Sequence, residues 1–85
     1  MPKVVIYTTA ICPYCIRAKR LLDRKGVRYQ EIRVDLEPIK LTEMMHRSQR
    51  RTVPQIFIDS FHVGGYDDMV SLDQDERLNP LLGLG

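Results

Sequence analysis

The chain has two cysteines, three positions apart in Cys12-Pro13-Tyr14-Cys15. Thiol–disulfide exchange needs an attacking thiolate and a second thiol that resolves the mixed disulfide, and i,i+3 on a helix brings two sulfurs within bridging reach. The flanks place the pair at a strand-to-helix junction: Val4-Val5-Ile6-Tyr7 is an apolar β-type run, and Ile16 to Lys25 has the pattern of an amphipathic helix. Pro13 suits a first helical position because it has no N–H to lose there, which makes Cys12 the cap residue. Cys12 then faces the positive end of the helix dipole and several unpaired backbone N–H groups, and both stabilise a thiolate. Cys15, one turn in, is less exposed and acts second. These residues predict a dithiol redox centre. A zinc site would need four ligands, and His46 and His62 stand at no zinc spacing, so no metal is expected and each histidine is assigned to surface or packing.

Other segments hold residues with special backbone or charge. Val53 precedes Pro54, which keeps it extended, so its N–H and C=O can face a peptide-like ligand instead of a ladder partner. Gly64-Gly65 permits close backbone approach or a positive φ. Asp67 and Asp68 are expected as N-caps of a last helix, whose N-terminus also favours an anion. Tyr14, between the cysteines, is expected on the surface, shaping a groove.

The elements that must position these residues follow from periodicity. Residues 3–9 read as a strand, and 13–25 as a helix with Ile16, Ala18, Leu21 and Leu22 on its apolar stripe and Gly26 as its stop. Residues 27–34 alternate as a second strand, and Pro38 opens a second helix to about Ser48 with Ile39, Leu41, Met44 and Met45 on its buried side. Residues 55–59 and 61–63 form a hairpin, and a last helix near Asp67 turns Met69, Val70 and Leu72 inward. The tail from Asn79 through Leu84 is expected to pack on the surface without forming an element. The order βαβ then αββα predicts an α/β fold: a four-stranded mixed sheet flanked by three helices on both faces, with strands one and two parallel and three and four antiparallel.

With 85 residues, 44% hydrophobic and 28% charged, residues 1–85 are expected to form a single domain. No apolar stretch approaches the roughly 20 residues of a membrane span, and the amino terminus lacks an export signal, so a cytoplasmic protein is expected, where two-cysteine bridges are transient and catalytic. Residues 1–51 carry 12 basic and 5 acidic side chains, and residues 52–85 carry 1 and 6. The basic residues are spread over two helices with no base-reading motif and no Trp, which argues against a nucleic-acid partner.

Taken in order, Cys12-Pro13-Tyr14-Cys15, Thr52-Val53-Pro54-Gln55-Ile56-Phe57-Ile58 and Gly64-Gly65-Tyr66-Asp67-Asp68 resemble the signatures of the dithiol glutaredoxins, thioredoxin-superfamily proteins, and especially of their small bacterial form. The resemblance spans nearly the whole chain. It implies a thioredoxin-like fold with a cis Val53-Pro54 bond, glutathione as reducing co-substrate with no bound cofactor, and reduction of protein disulfides and protein–glutathione mixed disulfides. It also implies Cys12 as nucleophile, Cys15 as resolving thiol, and Tyr14, Thr52, Val53, Pro54, Gly65, Asp67 and Asp68 around a glutathione groove. A cation from Arg47, Arg50 or Arg51 would meet the glycyl carboxylate, and a monomer is expected. Many relatives carry Lys where this chain has Thr9, so that family cation is missing. Two rivals remain: a thioredoxin-like reductant served by a flavoprotein, whose motif has Trp before and Gly-Pro inside, and an iron–sulfur carrier, whose relatives have one cysteine followed by Gly-Phe-Ser.

Overall fold

Strand β1 (Val4–Thr8) is buried along its whole length in the computed structural model, which describes residues 2–85. Val4 and Ile6 face one side of the sheet, Val5 and Tyr7 the other, and each side is covered. The chain continues as α1 (Pro13–Arg24), β2 (Gln30–Arg33), α2 (Pro38–Ser48), β3 (Gln55–Ile58), β4 (Phe61–Gly64), α3 (Tyr66–Gln74) and α4 (Leu78–Leu81). The sheet order is β2-β1-β3-β4. β1 pairs parallel with β2 (Tyr7 opposite Ile32) and antiparallel with β3 (Ile6 opposite Ile56), and β3 pairs antiparallel with β4 (Phe57 opposite His62). This is the expected four-stranded mixed sheet of a thioredoxin-like α/β fold.

The larger core packs Ala18, Leu21 and Leu22 of α1 and Met69 of α3 against Val4, Ile6, Ile56 and Ile58. The smaller packs Met44 of α2 against Val5, Tyr7, Val34 and Phe57. At β1 the second core carries a polar tie: Tyr7 Oη donates to Glu43 Oε2 at 2.5 Å and accepts from Arg47 Nη1 at 2.9 Å. Gly26, at φ +70°, follows the Lys25 cap and ends α1 in the left-handed conformation.

The structure corrects several sequence expectations. A fourth helix, α4, exists where the tail was expected to lie on the surface, and Leu78 and Leu82 are fully buried in the larger core. The chain turns back after α3 through Arg77 N–H to the Leu72 carbonyl (2.9 Å), and Lys25 Nζ fixes the turn to α1 by reaching Asp73 at 2.7 Å and Asn79 Oδ1 at 2.8 Å. Ile16 and Ile39 are exposed, not inward, because each lies off the buried stripe of its helix, which runs through Cys15, Ala18, Leu21 and Leu22 in α1 and through Leu41, Met44, Met45 and Ser48 in α2. β2 is shorter than expected, since Val27 N–H bonds back to Leu22 at 3.1 Å and leaves the chain irregular until Gln30.

Because Leu78 completes the core, Leu78→Ala should cost about 2–5 kcal/mol. A urea midpoint lowered at unchanged slope would show it, whereas a side chain merely resting on the surface would lose less than about 0.5 kcal/mol.

Candidate active site

Four residues separate the end of β1 from the start of α1, and the last of them is Cys12. Its backbone is extended (φ −151°, ψ 97°), as an N-cap requires, and its sulfur does what a Ser or Asp oxygen does at other helix starts by accepting the Cys15 N–H at 3.1 Å. Pro13 stands at N1, as its sequence position implied. The first turn holds no acidic side chain to compete for the positive end of the helix. Cys12 and Cys15 are joined as a disulfide, with Cα atoms 5.2 Å apart. Cys15 is 1% exposed and Cys12 8%, so an incoming thiol reaches the Cys12 sulfur first.

The loop before Cys12 is held from the side. Ala10 N–H donates to Asp35 Oδ2 at 3.1 Å, and Arg33 clamps the same carboxylate through Nε (2.7 Å) and Nη2 (2.6 Å). The Arg33 hydrogen bonds hold the Asp35 carboxyl well below the usual carboxylate range, at about 2.

Beside Cys12 lies a cleft of about 180 Å³ that gathers every residue expected around a groove: Tyr14 from α1, Thr52, Val53 and Pro54 from the loop before β3, and Gly65, Asp67 and Asp68 where β4 passes into α3. The Val53-Pro54 peptide bond is cis, and the Val53 carbonyl oxygen lies 3.8 Å from the Cys12 sulfur. Tyr66 also lines the cleft, its ring centroid 6.1 Å from that of Tyr14, and the Arg17 guanidinium stands 5.2 Å over the Tyr14 ring. Neither Tyr66 nor Arg17 was singled out from sequence, where a tyrosine at a helix start and an arginine on a basic helix carry no signal of a groove.

Asp67 and Asp68 are not N-caps. Gly65 is the cap, with α3 beginning at Tyr66, and Asp68 at the third helical position reaches back to accept the Gly65 N–H at 2.8 Å. Gly65 has no side chain to return the bond, so only this half of a capping box forms. Asp68 also accepts from Arg50 Nη1 at 2.8 Å, and that bond, then the Gly65 N–H, holds its carboxyl below the usual range. Gly64, at φ +109°, fits beneath: a Cβ there would collide with the Asp68 carboxylate and lie 3.1 Å from Arg50.

The three candidate cations separate by their partners. Arg47 bonds to Tyr7 and lies 4.0 Å over the Phe57 ring, and Arg50 is paired with Asp68. Among the described residues, Arg51 makes no side-chain hydrogen bond or ion pair, and it opens with Arg50, Met45 and His46 onto a second, wider cleft of about 370 Å³. Two polar residues lie behind the groove: Gln55, given no role of its own in the sequence, and His62, expected at the surface or in packing. Gln55 is fully buried, and His62 is hydrogen-bonded to it and stacked on Phe57.

Residues 4–63 match the glutaredoxin family model. Glutaredoxin 3 of Escherichia coli is 55% identical over 82 residues, spanning 96% of this chain and 99% of its own. Among solved structures, the glutaredoxin of Brucella melitensis is 50% identical with a TM-score of 0.86, covering all of this chain and 92% of its own. A buckwheat glutaredoxin–glutathione complex is 34% identical with a TM-score of 0.89, covering 96% of this chain and 77% of that one.

Two outcomes test the local geometry. Gly64→Ala should destabilise the fold by more than about 1 kcal/mol, since it adds both a left-handed backbone penalty and a collision, and a thermal midpoint would read it. Asp35 has a folded pKa below its unfolded one, so its contribution to stability is complete above the ordinary carboxylate value of 3.8 and is lost as pH falls towards about 2. Asp35→Asn should therefore be less stable than the wild type at neutral pH and lose less stability between those two values in acid titrations followed by circular dichroism.

Proposed function

The chain belongs to the glutaredoxin family and is a thiol–disulfide oxidoreductase, and we propose that it draws its electrons from glutathione to reduce protein–glutathione mixed disulfides and protein disulfides through Cys12 and Cys15. The observation that carries this reading is the placement of the Cys12 sulfur at the N-terminus of α1, accepting a backbone N–H and opening beside the cleft around Val53.

With a glutathionylated substrate, the Cys12 thiolate attacks the glutathione sulfur and the substrate cysteine leaves as a thiolate that takes up a proton. A second glutathione thiolate then attacks the sulfur of the bound glutathione, releasing glutathione disulfide and restoring Cys12. With a protein disulfide, Cys12 attacks one substrate sulfur and Cys15 then attacks Cys12, expelling the reduced substrate and leaving the Cys12–Cys15 bond present in this structure. Two glutathiones return it to the dithiol, together supplying two electrons. The capping N–H favours Cys12 as attacker and leaving group, because a hydrogen bond to sulfur stabilises thiolate over thiol.

The groove residues suit a γ-glutamyl tripeptide. Val53, outside any strand, offers its backbone to the cysteinyl part, and Tyr14 shapes the wall over the sulfur. The N-terminus of α3 takes the γ-glutamyl carboxylate on its backbone N–H groups. Asp67 takes the ammonium, since Asp68 already serves Arg50 and Gly65. Arg51, which has no side-chain partner among the described residues, meets the glycyl carboxylate in the place of the family lysine that is Thr9 here. That a buckwheat relative was solved as a glutaredoxin–glutathione complex supports glutathione as the ligand. The protein is expected to act as a cytoplasmic monomer, and no helix of the described residues is long and apolar enough to cross a membrane.

The two cysteines should fail differently. Cys12→Ser should abolish reduction of both substrate classes. Cys15→Ser should keep the reduction of glutathione mixed disulfides, which external glutathione resolves, while reduction of protein disulfides falls by at least about tenfold. Turnover with glutathione, glutathione reductase and each substrate measures both, and activity surviving in Cys12→Ser would remove the assignment.

A further inference from the structure

Gln55 opens β3 directly after Pro54 and has no exposed surface, although it does not itself line the groove. Both ends of its amide are engaged. Nε2 lies 3.1 Å from the Thr52 carbonyl oxygen and 3.1 Å from Thr52 Oγ1, and Oε1 lies 2.7 Å from His62 Nε2. Chemistry fixes the directions: a carbonyl only accepts, so the amide nitrogen must face Thr52 and the amide oxygen His62. That oxygen also only accepts, so His62 must carry a proton on Nε2. Gln55 thus occupies the Thr52 carbonyl and one lone pair of its hydroxyl, leaving the hydroxyl hydrogen, together with the second lone pair, free to face the groove.

Little else restrains Thr52. It lies outside every helix and strand and, among the described residues, makes no backbone–backbone hydrogen bond. The far end of the relay is well braced. The His62 ring stacks on Phe57 with centroids 4.8 Å apart, and Phe57 packs edge-on against Tyr7 at 5.9 Å and lies beneath the Arg47 guanidinium. A register shift between Ile56 and Phe57 sets Phe57 opposite His62 while Ile56 faces Gly64.

We infer that Gln55 and His62 are positioning residues: a buried relay from His62 through Gln55 to Thr52 that fixes the groove edge and presents the Thr52 hydroxyl to glutathione. The inference rests on the groove accepting glutathione. A glutamine serving only the packing of β3 would need no partner on the groove lip, whereas this one spends both donor contacts there. The relay gives selectivity by preorganisation, because a loop already held in its binding conformation loses less entropy on binding.

The test compares one peptide carrying a cysteine in mixed disulfide with either glutathione or 2-mercaptoethanol, which presents the same type of sulfur with no carboxylate, ammonium or peptide group. Single-turnover second-order rates are measured with the reduced protein, alongside steady-state KM and kcat on the glutathionylated peptide. Gln55→Met keeps the side-chain volume and removes the amide, and His62→Phe keeps the stack and removes the donor. For Gln55→Met the rate on the glutathionylated peptide should fall about five- to tenfold, as expected for one or two lost hydrogen bonds, with the 2-mercaptoethanol rate within twofold of wild type. His62→Phe should shift in the same direction by a smaller factor, and in both variants KM should rise while kcat is kept. Parallel losses on the two peptides would reduce the relay to a structural contact, and an unchanged rate on the glutathionylated peptide would also overturn it. If Gln55→Met does not fold, His62→Phe alone decides by the same comparison. A wild-type protein that shows no preference for the glutathionylated peptide would sink the glutathione reading itself, which is a different result from a failure of the relay.

Discussion

One hydrogen bond joins the fold to the chemistry: the Cys15 N–H pointing at the Cys12 sulfur. A helix start leaves backbone donors that need acceptors, and here the acceptor is the sulfur available for exchange. The cap is weak with a neutral thiol and strong with a thiolate, so ionising Cys12 strengthens the start of α1 and α1 in turn favours the ionised sulfur. Pro13 has no N–H to compete, and the first turn has no acidic residue to cancel the field. Everything that fixes where α1 begins therefore also tunes the sulfur, including the stretch of chain tied to Asp35.

The opposite wall is organised around a carboxylate. Asp68 gathers the Gly65 N–H and the Arg50 guanidinium, and so joins the end of α2 to the start of α3 across the gap that forms the cleft. It also joins the basic stretch of the sequence to the acidic one, as Lys25 and Asp73 do on the far side of the molecule. Exposed ion pairs contribute little by themselves. Asp68 gains from also receiving a backbone donor at a helix N-terminus, and the space it occupies is available only because residue 64 is glycine.

Much of this was legible in the chain. The apolar run of β1, the stripe of α1 through Ala18, Leu21 and Leu22, the prolines opening α1 and α2 and the glycine closing α1 each act locally, and local signals survive in sequence. The residues that line the cleft lie in three short segments, each of which carries its family signature in the sequence. What escaped depends on partners distant in sequence or on runs too short for a period. The four residues of α4 cannot display a 3.6-residue repeat, so Asn79 through Leu84, with the buried Leu82 among them, looked like a surface tail. Ile16 and Ile39 match an apolar stripe by type, but the helical phase fixed by the buried residues turns both away from the sheet. Asp67 and Asp68 are good cap residues beside a glycine that took the position first. Gln55 and His62 are ordinary letters, and only the fold shows that one is buried and satisfied by the other.

The central place of β1 bears on how the chain folds. Its neighbour β2 follows after one helix, but its other neighbour, β3, lies some fifty positions along the chain, with Val4 opposite Ile58. Closing that long loop costs more chain entropy than closing the local βαβ unit. A chain in which only β1, α1 and β2 have assembled presents one whole edge of an apolar strand unpaired, a template on which another chain can add. Docking of the β3–β4 hairpin removes that edge. The same event brings Thr52 and Val53 to Cys12, so the molecule acquires its groove at the step that ends its exposure to aggregation.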